Sequence, residues 1–132
     1  MAVKRPVDQA ELACRLGEEQ KAEVYLIHVI EVPRTLSLGV SMPEAETRAQ
    51  EILKEGESIV SLRGLPVKGE VRRGRVVGEE IIRVAKDWEA DLIVMGIRSQ
   101  IRMAVEILGR TSDLVLRRAP CEVIVDKFSA EA

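Results

Sequence analysis

The chain has one histidine, His28, and two cysteines, Cys14 and Cys121, in 132 residues. His28 lies in an apolar strand pattern and reads as a core residue, so no nucleophile–base–acid trio is assembled around it. With no CxxC pair and no second histidine, a zinc site lacks ligands. Basic excess is missing too: 20 Lys and Arg stand against 22 Asp and Glu, a net charge of −2. That balance excludes a general nucleic-acid binder. No apolar run approaches the roughly 18 residues that span a bilayer, so no membrane insertion is expected. The start, Met1-Ala2-Val3-Lys4-Arg5-Pro6, carries no apolar stretch of the secretory kind. Two cysteines without metal-ligand spacing fit a reducing compartment, and a cytoplasmic location is expected. No internal repeat and no low-complexity segment is visible.

What is present is a globular profile, 46% hydrophobic and 32% charged, of a length that suits one domain over residues 1–132. Strand and helix patterns alternate. Residues 22–32 (AEVYLIHVIEV) are apolar and β-branched and read as a buried strand. Residues 66–73 (PVKGEVRR) alternate more and read as an edge strand opening at Pro66. Residues 91–96 (DLIVMG) and 121–126 (CEVIVD) are two further strands.

Helical patterns fill the intervals. The first, over 8–20, opens with Asp8 and Glu11 in the manner of a capping box. The second starts between Ser41 and Glu44, with Pro43 in its first turn, and runs to about Arg63. Its apolar face carries Ala45, Ala49, Ile52, Gly56 and Ile59. The third, about 76–88, lines up Val77, Ile81, Ala85 and Trp88. The fourth, about 101–118, lines up Ile101, Val105, Leu108, Ser112 and Val115 and stops before Pro120. Such alternation predicts βαβ units, a parallel sheet and helices on both faces. The longest connection, 33–42, is uncharged after Arg34 and reads as a mobile flap or a contact surface. Met1-Ala2-Val3-Lys4 could be the end of a short first strand; were that strand central, its shortness would leave a gap in the sheet.

The strand ending at Gly96, followed by Gly109 and then Thr111-Ser112, points to a ligand position, since parallel sheets bind ligands at the carboxyl ends of their strands. At this point the residues resemble the universal stress protein family. The resemblance is carried by Tyr25-Leu26-Ile27-His28-Val29, by Val71-Arg72-Arg73-Gly74 with Gly78-Glu79-Glu80-Ile81, by Ala90 to Gly96, and by Leu116 to Val125. It implies an α/β fold with an open parallel five-strand sheet of order 3-2-1-4-5, its first strand short here, and helices on both faces. It also implies a homodimer through the last strand, placing Cys121, Val123 and Val125 at the interface, where an open edge tends to pair.

Many members of that family bind ATP through G-x2-G-x9-G-[ST]. Mapped here, the first glycine is Gly96, the second is replaced by Ser99, the third is Gly109, and the closing hydroxyl residue is replaced by Arg110. Lys4 stands where an aspartate usually meets the nucleoside. The nucleotide candidates are therefore Lys4, Val29, Met95, Gly96, Arg98, Ser99, Gly109, Arg110, Thr111 and Ser112. A Cβ at Ser99 narrows the approach of phosphate to backbone, and Arg110 fills the place of a small hydroxyl. Arg98, Arg102, Arg110 and Lys4 together could still attract an anion; their plainer role is a solvated surface. His28 reads as a core residue, Asp8 as a helix cap, Trp88 and both cysteines as packing.

The expected function is a regulatory or signalling domain of stress response that is not a standard ATP binder and not an enzyme, at most a weak ATPase. One alternative is an ATP or AMP binder using the altered loop, with Mg²⁺ at the phosphates. Another is a regulatory domain detached from a membrane transporter, with that transporter as partner.

Overall fold

A computed structural model describes residues 6–99 and 109–129. Eight elements follow in order: α1 (Pro6–Gly17), β1 (Val24–Glu31), α2 (Pro43–Leu62), β2 (Val67–Gly74), α3 (Val77–Asp87), β3 (Leu92–Ser99), α4 (Arg110–Arg118) and β4 (Glu122–Ser129). The alternation expected from the sequence is therefore present. The strands, however, form two parallel pairs, β1 with β2 and β3 with β4, and no ladder joins the pairs among the described residues. The five-strand sheet expected from the resemblance is thus represented by four strands in two halves. Val3 and Lys4, where the short first strand was expected, lie outside the described residues.

The helices divide into two layers. Contacts between α1 and α2 on one side, and between α3 and α4 on the other, are among the most extensive between helices. The parallel register Val24↔Val67 to Glu31↔Gly74 puts Leu26 opposite Gly69, on the face that α2 covers. The α2 stripe is Ala49, Leu53, Gly56 and Val60, with Ile52 and Ile59 half-buried at its flanks. Helix and strand approach closely at Gly56, where a Cβ would lie 3.0 Å from Leu26 Cδ1, the tip of its side chain. The core beneath this layer joins Ala10 and Cys14 of α1, Val24 of β1, Val60 of α2 and Leu65. Helix α1 also touches β3, so it spans both half-sheets on one face.

The starts of α1 and α4 differ from the sequence reading. Helix α1 begins at Pro6, whose missing N–H costs nothing at a first position, so Asp8 lies inside the first turn and is not the cap. Met42 is the N-cap of α2, with no side-chain cap. Glu46 takes that role from inside the helix, its Oε2 accepting the Met42 N–H at 3.0 Å. Helix α4 begins at Arg110 with Gly109 as N-cap, rather than running through Gly109; Ile101, Val105 and Leu108 lie outside the described residues. No described helix is long and apolar enough to cross a membrane.

Candidate functional site

Strand β3 does not end at Gly96. It continues through Ile97 and Arg98 to Ser99, paired with Asp126 to Ser129 of β4. Gly96 faces Asp126 in that ladder, and the space over its α-carbon belongs to Gln9 of α1. A Cβ built on Gly96 would lie 2.5 Å from Gln9 Nε2 and 2.6 Å from its Cδ. The same Nε2 donates to Asp126 Oδ2 at 2.9 Å. Gly96 is glycine here because a carboxamide crosses it to reach β4. The sequence offered no sign of this use, since Gln9 is distant along the chain from both Gly96 and Asp126.

The other motif positions divide. Gly109 is exposed with open space around it, at φ −75° and ψ 174°, so nothing in its backbone demands glycine. Arg110 is exposed and Thr111 half-buried, both at the start of α4. Ser112 is 2% exposed, which withdraws its hydroxyl from a ligand. Met95 and Val29 are half-buried on β3 and β1. Arg98 and Ser99 are placed by their backbone at the end of β3. Lys4 and Arg102 lie outside the described residues, so of the four cations expected to gather, Arg110 alone is seen with its exposure. Val123 and Val125 lie half-buried on β4 opposite Ile93 and Met95; Cys121 directly precedes that strand.

Burial is the first cause of the shifts at both cysteines and at the histidine. Burial pushes the Cys14 thiol up. Burial, reinforced by Asp91 and Glu122, does the same to Cys121. Neither is an activated thiolate. His28 is pulled below its ordinary value by burial and then by Arg48, which keeps the imidazole neutral near pH 7. Among the described residues no cluster of His, Cys, Asp and Glu could hold a metal ion.

A polar network lies on the α3 side of β2, where the sequence reading placed no site. Glu80, 8% exposed, accepts from Arg72 Nε at 3.2 Å and from Arg83 Nη1 at 2.5 Å. Arg72 also reaches Glu70 at 3.6 Å, and Glu70 accepts the Tyr25 hydroxyl. Tyr25 packs edge-on against Trp88, ring centroids 4.2 Å apart. Burial first, and the Glu70 contact second, push the Tyr25 phenol up to about 12. Gly74 makes room for Glu80, whose Cγ would lie 2.5 Å from a Cβ there.

At the carboxyl ends of β1 and β2 an open cleft of about 560 Å³ has Ile30 and Val71 as apolar lining, with Thr47, Gln50, Glu46 and Arg73 as polar lining. Arg73 and Glu46 form an ion pair there.

A model of the universal stress protein family matches residues 8–127. A universal stress protein of Methanocaldococcus jannaschii is 30% identical over 127 residues, covering 92% of this chain and 74% of that one. Among solved structures, a universal stress protein of Archaeoglobus fulgidus superposes with a TM-score of 0.76 at 22% identity, covering 95% of this chain and 92% of that one. A structure of the universal stress protein from the same organism in complex with dAMP gives 0.71 at 21% identity, covering 95% and 91%.

Proposed function

The chain belongs to the universal stress protein family, and on that premise we propose that it works as a regulatory or signalling domain of the stress response without the family's usual mode of ATP binding. One observation carries this reading. The first glycine of the ATP motif lies within β3, and Gln9 occupies the space over it on its way to Asp126. Ser99 and Arg110 stand at two more of the motif's positions. The protein does no chemistry on this reading, and its 132 residues act as one cytoplasmic domain.

A second reading is favoured by the dAMP seen in the relative of similar fold. An adenine mononucleotide would lie between the carboxyl ends of β1 and β3, near Val29 and Met95. Its phosphate would face Gly109, Arg110 and Thr111, where α4 offers free N–H groups. Any Mg²⁺ would then arrive on the phosphates. Isothermal titration with ATP and AMP, with and without Mg²⁺, separates the two. The first reading expects no heat with Mg²⁺–ATP. Micromolar ATP binding that Arg110→Glu abolishes would overturn it. AMP binding without ATP binding would establish the second.

The partner on either reading is a second copy joined through the outer edge of β4. Val123→Pro should yield monomers in sedimentation, and a variant that stays dimeric refutes the interface. If the wild type is itself monomeric, a transporter or other protein partner becomes the working alternative.

A further inference from the structure

The segment between β1 and α2 is held by two guanidinium groups from the end of β2. Arg75 Nη1 donates to the carbonyls of Val32 at 3.3 Å, Pro33 at 2.5 Å and Leu36 at 2.8 Å. Arg73 Nη1 donates to the carbonyls of Leu38 at 3.1 Å and Val40 at 2.6 Å. Its Nη2 pairs with Glu46. Five carbonyls of one connection are thus bound by two side chains that are nearly adjacent in sequence. The segment's own backbone supplies two turn bonds, Leu36 N–H to Pro33 at 3.0 Å and Val40 N–H to Ser37 at 3.0 Å. Between its ends the side chains add no anchor: residues 33–39 are all exposed, Leu36 and Leu38 at 42% and 45%, whereas Val32 is fully buried and Val40 and Met42 are half-buried.

We propose that residues 32–42 are a strap with two independent clasps, Arg75 on its first half and the Arg73–Glu46 pair on its second, so that either half can open while the other stays shut. Independence follows from the partner sets, which share no atom. The second clasp has a further role. Glu46 also accepts the Met42 N–H at the start of α2, and the Arg73–Glu46 pair lines the cleft beside Ile30 and Val71. A group that enters the cleft and pairs with Arg73 competes with Glu46. Drawing the guanidinium toward that group frees the Leu38 and Val40 carbonyls, while Glu46 keeps the Met42 N–H and Arg75 holds Val32 to Leu36 in place. The strap follows the carboxyl end of β1, so its second half is a gate that the cleft controls.

Hydrogen exchange followed by mass spectrometry on the full chain tests this, with α3 and α4 amides as the internal measure of global stability. Arg75→Ala is expected to raise exchange at Leu36 tenfold or more, to speed tryptic cleavage after the exposed Arg34, and to leave Val40 and Met42 unchanged. Glu46→Gln is expected to do the reverse, loosening Val40 and Met42 and sparing Leu36. Arg75→Lys, which keeps the charge and loses the fork, should reproduce Arg75→Ala in milder form if the alanine variant folds poorly. Unchanged exchange in both halves would show that the turn bonds alone hold the strap. Simultaneous loosening of both halves in either variant, with α3 and α4 unaltered, would overturn the independence of the clasps.

Discussion

Gly78→Ala should destabilise the protein even though it places a better helix former in a helix. Gly78 is the second residue of α3 and faces Leu114 of α4. A Cβ at Gly78 would lie 2.9 Å from Leu114 Cδ2 and 3.3 Å from both its Cβ and its Cγ. A methyl terminus can rotate aside, but Leu114 Cβ is fixed to its helix, so relief requires the helices to move apart. Overpacking of this kind costs about 1–3 kcal/mol. Alanine returns at most about 1 kcal/mol in a helix interior, and less in the first turn. The net expectation is a loss of about 1–2 kcal/mol, or roughly 3–8 °C in Tm for a chain of this size. Gly56→Ala is the contrast. Its nearest atom is the tip of Leu26 at 3.0 Å, in the middle of α2, so propensity should win and stability should hold or rise by up to about 1 kcal/mol. Urea unfolding read by Trp88, the one tryptophan, measures both. The reasoning fails if Gly78→Ala is as stable as wild type. It also fails if Leu114→Ala in the same chain shows no coupling with it in a double-mutant cycle.

Tyr25 is the one tyrosine, so ultraviolet absorbance follows its ionisation alone. With its pKa raised from 10.0 to about 12, the folded phenol should stay protonated where a free one ionises. Its contribution to stability is full below pH 10 and is lost as pH rises through about 12. Glu70→Gln should move the midpoint back toward the ordinary value, and an unmoved midpoint would leave burial as the sole cause. Glu80→Gln, which strips the charge from a carboxylate 8% exposed and bound by two arginines, should cost about 1–3 kcal/mol in denaturant unfolding. Arg83→Ala should cost under about 1 kcal/mol, because the Arg83 side chain is 55% exposed. Equal losses in the two variants would contradict the assignment of Glu80 as the centre of the network.

The layered α/β character was legible because it rests on period and composition. Apolar β-branched runs at 24–31 and 92–95 can satisfy themselves only inside a sheet, and Ser112 and Val115 fall on the buried face of α4 as their spacing required. Periodicity failed where burial is compensated through space. The stripe Val77, Ile81, Ala85 leaves Glu80 on a flank, yet Glu80 is buried because Arg72 of β2 neutralises it and Gly74 leaves it room. Residues 33–42 read as a mobile flap or a contact surface because the strap's anchors are backbone carbonyls, which every residue has and no sequence advertises. Gly96 was read through the family's phosphate motif, whereas the contact that fills the space over it comes from a side chain on a helix nearly the whole chain earlier. The start of α2 at Pro43 falls where the sequence places it, but its cap is Glu46, which acts from within the helix.

Side chains on helices tie the two strand pairs together. On one face α1 touches β1 and β3 and is tied to β4 by Gln9 and Asp126; on the other, α3 meets α4 through Gly78 and Leu114. A parallel ladder is a row of backbone hydrogen bonds loaded together, whereas each of these ties is a single side-chain contact. A substitution at Gln9 or Leu114 therefore acts on the ties and leaves the bonds within each ladder intact.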